Sequence, residues 1–387
     1  MRSGHFIEIP RSLAGKTVLL RVDFNEPLDV GGRKKIKDSF RIRATAPTIK
    51  DLVKRGARVV LAAHLEDSVT KKQLSFKPHV AEIARITGLP AAFIKNYSQS
   101  NISKAFVKSK IVLLENVRFQ KGETSNDPHF ARRLASLADL YINEAFSVSH
   151  RNHASIVGVP QILPSYAGPL FQKEVRALSE VLHPPRPFLF ILGGAKFSTK
   201  IALLKNFLQK ANAVFIGGAL ANTFLLAHGI DVGNSLVEKK ALEDVKKHFL
   251  RSKKILLPFD AWVARKRAKN ISDIEPSEKI CDVGPKTTAL LSSLAKDAKY
   301  VLWNGPLGFI EGGYDQSTRE LLKNLARLKR TKVTLGGGDT MDVLDAMRLH
   351  QHFYHISTGG GAMLDFLADG SLPGIEALRT AQKRMAR

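Results

Sequence analysis

Cysteine is almost missing from the chain: Cys281 stands alone among 387 residues, so no internal disulfide can form, which fits a reducing compartment. Long apolar runs are scarce as well. Residues 211–230 carry no formal charge, but they include Asn212, Asn222, Thr223, His228 and a Gly217-Gly218 pair. That composition reads as buried strand, turn and helix rather than as a membrane span, and no membrane partner is expected. The opening MRSGHFIEIPRSLAGK lacks the apolar core of a secretion signal, so a cytoplasmic location is expected. Low-complexity tracts and short repeats are absent too, which removes the disordered and solenoid classes.

Acidic residues are the other scarcity. Against 60 Lys and Arg stand 35 Asp and Glu, giving a net charge of +25 and a pI near 10.1. Such a field attracts phosphorylated metabolites, nucleotides, nucleic acid or acidic lipid. The basic clusters at 33–35, 265–269, 329–332 and 379–387 are scattered along the chain. A nucleic-acid module concentrates them on one motif with aromatics between, so a solvated basic surface is the preferred reading and no specific nucleic acid is expected. A basic nucleic-acid-binding protein remains the alternative from another functional class.

What is present is a regular alternation. Short apolar runs at 17–24, 57–64, 110–117 and 139–146 read as buried strands, separated by helical stretches at 41–55, 77–87 and 128–138. The second half repeats the style at 187–194, 212–218, 254–260, 299–305 and 332–338, each run preceding a helix-like segment, such as 197–210. Strand and helix alternating at this interval imply parallel sheets with helices on both faces. The expected fold is α/β, two doubly wound, Rossmann-like parallel-sheet domains joined by a hinge helix at about 171–183, which Pro184-Pro185 stops.

In open parallel sheets, ligands gather at the carboxyl ends of the strands. Asp23 and Asn25 stand at such an end, one residue apart. They read either as a turn or as a carboxylate and amide that bind a substrate hydroxyl. Arg41, His64, Arg118 and His150-Arg151 each border an expected strand or helix end, and converging guanidinium groups suit a polyanionic substrate. His150 and His153 lack the cysteine or acidic partners of a zinc set.

Glycine-rich loops mark the second half: Gly193-Gly194-Ala195-Lys196 with Lys200 a turn later, Gly336-Gly337-Gly338-Asp339-Thr340, and Gly359-Gly360-Gly361. Without Cβ atoms, backbone N–H groups can approach phosphate, and a following helix offers its positive end. Neither GxxxxGK[ST] nor GxGxxG occurs, so the Walker and dinucleotide fingerprints do not apply. Asp339 is a candidate oxygen ligand for Mg²⁺. Two polyanion sites on two domains imply hinge closure, because phosphoryl transfer needs in-line geometry and exclusion of water.

These motifs resemble phosphoglycerate kinase over nearly the whole chain: LRVDFNEPL, RIRATAPTI, LLENVRF, HRNHAS, ILGGAKFSTKI, WNGPLGFIE, LGGGDT and HISTGGGAMLDFL, in the family's order. The resemblance implies reversible phosphoryl transfer between ATP and 3-phosphoglycerate, with Mg²⁺, in a monomer. It implies an acid-binding domain of residues 1–168 plus 372–387 and a nucleotide-binding domain of residues 169–371. By the family pattern Asp23, Asn25, Arg41, His64, Arg118, His150 and Arg151 match the acid side. Arg41 and Lys196 match the groups that neutralise the transferring phosphoryl. Gly193, Gly194, Lys196, Lys200, Gly217, Gly218, Asn304, Glu311, Gly337, Gly338, Asp339 and Thr340 match the nucleotide side. Glu311 would accept from the ribose hydroxyls and Asp339 would meet the metal.

Four positions depart from that pattern. Where the family reads Leu-Gly-Arg-Pro after the histidine, this chain has Leu65-Glu66-Asp67-Ser68, so an acid replaces an arginine; Lys71 and Lys72 are the nearby cations that would offset it. Ser147 replaces a glycine beside the anion site, Thr199 replaces an aspartate before Lys200, and Ala219 replaces the third glycine of the loop near adenine. A kinase for a different small carboxylate is the alternative these departures allow.

Overall fold

The computed structural model describes residues 6–25, 39–67, 70, 72–198 and 200–386; Ser68, Lys71, Thr199, Arg387 and the basic cluster at 33–35 lie outside the described residues. The chain divides into two compact units, Met1–Ser179 with Asp369–Arg387, and Glu180–Ala368.

The first unit holds β1 Thr17–Arg21, β2 Arg58–Ala62, β3 Ala91–Ile94, β4 Ile111–Leu114, β5 Leu140–Asn143 and β6 Ser165–Ala167. They form one sheet in the order β3-β4-β2-β1-β5-β6, parallel throughout. β1, β4 and β5 are buried along their whole length, which is why they read as unbroken apolar runs. β3 is only half-buried and β6 has three residues, so neither carries that signal. β1 has β2 on one side and β5 on the other, which makes its carboxyl end the point where the strand order reverses. Helix Phe40–Lys54 packs beside β2 and carries Pro47 on its solvent side.

The second unit holds β7 Phe188–Leu192, β8 Ala213–Ile216, β9 Ile255–Leu256, β10 Asp260–Val263, β11 Arg267–Asn270, β12 Ile280–Val283, β13 Tyr300–Asn304, β14 Lys332–Gly336 and β15 His355–Ile356. Its main sheet runs β15-β14-β13-β7-β8-β9, again all parallel, with the order reversing at β7 and β13. Trp303 of β13 is fully buried in the core beneath it.

Two expectations are corrected here. The run 254–260 is not one strand leading into a helix. Pro258 lies two positions past the two-residue β9, and the chain then enters a separate antiparallel sheet, β11-β10-β12. The Gly193-Gly194-Ala195-Lys196 loop does not open a helix directly: the next helix is Ile201–Lys210, so the expected helix at 197–210 loses its first turn.

Helix Pro169–Leu182 contains the boundary between the units. The buried Glu144 caps its first turn, accepting from Leu170 N–H at 3.1 Å and Phe171 N–H at 3.4 Å. Helix Pro373–Met385 belongs to the first unit. Gly374 N–H donates to Ser149 O at 2.9 Å, Arg384 Nη2 donates to the carbonyls of Pro160 and Leu163, each at 3.1 Å, and Gln382 Oε1 accepts from Ile7 N–H at 3.1 Å.

Candidate functional sites

In the first unit the expected residues do gather at the carboxyl end of the sheet. Asp23 lies two residues past β1, His64 two past β2, and Arg118 four past β4. Asp23 is fully engaged by the protein: Arg41 pairs with Oδ2, the Ser147 hydroxyl donates to the same oxygen, and Asn25 N–H donates to Oδ1 at 3.1 Å. Burial alone would raise its pKa, but Arg41 and these donors outweigh it and hold the carboxyl below its ordinary value. Asn25 Oδ1 in turn accepts from Glu66 N–H at 2.8 Å. The pair therefore makes a turn, and Ser147, the serine standing where the family has glycine, is bonded into it.

His64 is buried, and burial together with the neighbouring Arg21 holds its pKa well below the usual histidine range. Arg21 Nη2 faces His64 Nδ1 at 3.4 Å. A guanidinium can only donate, so Nδ1 accepts and the ring proton sits on Nε2. Arg21 is itself 1% exposed and pairs directly with no carboxylate among the described residues. Its Nε donates to Ser155 Oγ at 2.9 Å, and that hydroxyl donates to the buried Glu123 at 2.6 Å. Sequence reasoning passed over Arg21, although a charged residue closing the apolar run TVLLR was the available signal.

Arg118 follows Asn116, whose Oδ1 accepts Arg118 N–H at 3.0 Å and sets the turn. The Arg118 guanidinium meets Glu66 Oε2 at 2.7 Å, a pairing between residues that sequence reading left apart. Asp67, the acid at the family's arginine position, accepts from Thr70 N–H at 2.9 Å through Oδ1. Arg151 is exposed on the segment beyond β5, and His150 beside it is half-buried.

In the second unit the loops after β7, β8, β13 and β14 lie side by side and interlock through their glycines. Gly193 N–H donates to Asn304 O at 2.9 Å, Gly194 N–H to Pro306 O at 2.9 Å, Gly218 N–H to Leu307 O at 3.1 Å, and Gly305 N–H to Gly336 O at 3.2 Å. The contacts leave no room for a side chain. A Cβ on Gly305 would stand 2.6 Å from Gly193 O, and one on Gly218 would stand 2.7 Å from Gly194 N. Both glycines also hold positive φ, +87° and +63°.

Lys200 threads under this cradle and donates to Gly193 O at 2.5 Å. Burial lowers its pKa to about 8, with Asp339 opposing that shift. Gly338 opens helix Gly338–Met347, behind Gly337 at φ +102°. In its first turn Thr340 Oγ1 is buried without a hydrogen-bond partner among the described residues. A cleft opens beside the cradle, walled by Gly194, Gly218, Ala219, Phe309, Glu311 and Asp339 among others. Lys196 is exposed on the loop ahead of Phe197, Asn304 is buried at the end of β13, and Gly217 caps helix Gly218–Ala227. Cys281 and Asp282 also reach the wall, with burial raising the Asp282 carboxyl to about 7; no sequence signal pointed to either.

A glycine cradle beside a cleft, next to a hydroxyl at a helix N-terminus that has no partner among the described residues, fits a phosphate-bearing ligand. The comparisons with known proteins agree. The phosphoglycerate kinase family model matches residues 9–370. The chain belongs to the phosphoglycerate kinase family. It is 40% identical over 384 residues to the phosphoglycerate kinase of Dictyoglomus turgidum, covering 95% of this chain and 96% of that protein. It is 42% identical over 390 residues to that of Methylorubrum extorquens strain PA1, with the same coverage. Among solved structures it is similar to the phosphoglycerate kinase of Coxiella burnetii, at TM-score 0.82 and 34% identity over 95% of this chain and 97% of that one. The corresponding values for Pyrococcus horikoshii OT3 are 0.85 and 29% over 96% and 98%. As a phosphoglycerate kinase, the chain catalyses reversible phosphoryl transfer between ATP and 3-phosphoglycerate, the glycolytic reaction of the family.

Proposed function

We propose that the two substrates divide between the units: 3-phosphoglycerate on the cluster of Asp23, Asn25, Arg41, His64, Arg118, His150 and Arg151, and ATP or ADP on the cradle of the second unit. The observation that carries this reading is the open cleft beside the interlocked cradle, where the first turn of helix Gly338–Met347, Lys200 and the idle Thr340 hydroxyl are suited to phosphate. On the acid side, His64 Nε2–H and the arginines donate to carboxylate and phosphate oxygens. Arg41 and Lys196 neutralise charge on the phosphoryl in flight. Glu311 accepts from the ribose.

The residues present also fit a magnesium ion. Among the described residues no three His, Cys, Asp or Glu side chains could hold a metal by themselves. Asp339, in the first turn of helix Gly338–Met347 at the cleft wall, would supply the carboxylate for magnesium, with phosphate oxygens and water as its other ligands. Bound magnesium supplies positive charge on the phosphate oxygens. Transfer requires the two ligands in line with water excluded, and we assign that closure to the helix Pro169–Leu182. Among the described residues no helix is long and apolar enough to cross a membrane. The lone cysteine supports a cytoplasmic setting, and a monomer is the state the family resemblance implies.

The test is a pair of binding titrations on the full chain, alongside a coupled assay of turnover. Arg118→Gln should weaken 3-phosphoglycerate by roughly 10–100-fold, the loss of a charge-assisted hydrogen bond, while leaving Mg·ADP unchanged. Asp339→Asn should do the reverse. Crossed effects, or none, would overturn the division.

A further inference from the structure

Glu66 is held in place more firmly than a chance surface acid. Its carboxylate oxygen Oε2 receives Arg118 Nη1 at 2.7 Å and Gln73 Nε2 at 2.6 Å. Gln73 pairs with Glu66 in a short antiparallel bridge. The bridge is extended by Asp67 N–H to Lys72 O at 2.9 Å and Leu74 N–H to Leu65 O at 3.0 Å. The loop is anchored from below. Asn116 Nδ2 donates to Leu65 O at 2.7 Å and Leu74 O at 2.8 Å, and Glu115 accepts from the Ser75 hydroxyl and Phe76 N–H at 2.7 and 3.0 Å. The ion pair is mostly withdrawn from water, with side-chain exposures of 18% for Arg118 and 24% for Glu66, so solvent screens it less than an open surface pair.

Arg118 sits among like charges. Burial presses against its charged form, Arg21 and Arg151 add to that pressure, and Glu66 relieves it. An anionic ligand would give the same relief.

We propose that Glu66 is an internal competitor for the substrate: its carboxylate occupies Arg118 until an anionic group of the acid displaces it, and so sets the affinity for 3-phosphoglycerate. This rests on the assignment of Arg118 to the acid-binding cluster. Any acid that uses Arg118 meets the same penalty, because the apparent dissociation constant is the intrinsic one divided by the fraction of molecules whose arginine is free. Glu66 therefore raises the working concentration range of the enzyme without choosing between acids. Gln73 shares in the effect by holding Glu66 over the guanidinium.

The experiment is calorimetric titration of the full chain with 3-phosphoglycerate at low ionic strength. Glu66→Gln keeps the shape and removes the competing charge, and it should tighten binding by about 3–10-fold, the factor set by the occupied fraction of Arg118. Gln73→Leu leaves Glu66 charged but unpinned and should tighten binding by a smaller factor. Added salt should narrow the gap between Glu66→Gln and the natural chain, because screening weakens the pair. Unchanged or weaker binding in both variants would overturn the proposal. Arg118→Gln separates the two levels: if it loses affinity while Glu66→Gln gains none, only the competitor role fails. If Arg118→Gln binds as well as the natural chain, the acid-site assignment fails with it.

Discussion

Nucleotide binding should take up a proton, and Lys200 is the reason. In the free protein its ammonium lies under the glycine cradle with Gly193 O as its hydrogen-bond acceptor, and burial brings its pKa down to about 8. A phosphate chain seated on the cradle brings negative charge next to that nitrogen and restores the charged form. If the bound-state pKa returns to the ordinary lysine value near 10.4, uptake is about 0.1 proton at pH 7, about 0.5 at pH 8 and about 0.9 at pH 9. The nucleotide's own terminal phosphate is already ionised at pH 8 and above, so it adds little there. The assay is calorimetry of ADP binding in two buffers of different ionisation enthalpy, whose difference in observed heat gives the proton count. Lys200→Arg, charged at every pH used, should abolish the uptake. Equal uptake in natural and Lys200→Arg chains, or none in the natural chain at pH 8, would refute the placement of Lys200 against the phosphates.

Gly305→Ala should cost about 2–4 kcal/mol, from a left-handed backbone and a Cβ pressed on Gly193 O. Melting should fall by roughly 5–10 °C with a loss of ADP affinity. Gly15→Ala, also at positive φ but with nothing within 4 Å of the added Cβ, should cost only the backbone share, about 1–2 kcal/mol. Equal losses would mean that the cradle yields freely. Glu144 has a folded pKa of about 7, above its ordinary 4.5, so its contribution to stability is full below pH 4.5 and is lost as pH rises through 7. The loss is on the order of 3 kcal/mol, and Glu144→Gln should flatten it; parallel urea-unfolding series from pH 5 to 8 would show the reasoning wrong. Duplex DNA should bind weakly and let go between 50 and 200 mM salt, as an unspecific basic surface does; tight, sequence-selective binding at 150 mM would contradict that.

Both parallel sheets were legible because β1, β4, β5, β7 and β13 are buried on two faces and can hold little besides apolar residues. The antiparallel sheet β11-β10-β12 was not. β11 reads Arg-Ala-Lys-Asn and is mostly exposed, so neither period nor hydrophobicity marks it. At the strand-end cluster of the first unit the residue types and their positions could be read, because topology alone sends them there. Their partners could not. Glu66 meets Arg118 across 52 positions, Ser147 meets Asp23 across 124, and Arg21 meets Ser155 across 134. Such contacts depend on register between strands that are neighbours in space only. The glycine loops were legible as loops, but their mutual hydrogen bonding, which itself requires glycine, belongs to the assembled sheet.

The chain leaves the first unit within helix Pro169–Leu182, builds the whole second unit, and comes back as helix Pro373–Met385. During synthesis, then, the later-made unit is the one that can finish first, as a contiguous segment. The earlier unit must wait on the ribosome with the carbonyls of Pro160 and Leu163 still lacking Arg384, and with Ile7 still lacking Gln382. A chain truncated before residue 373 would keep every residue of the second unit and lack the last helix of the first, so the unit begun first is the one completed last.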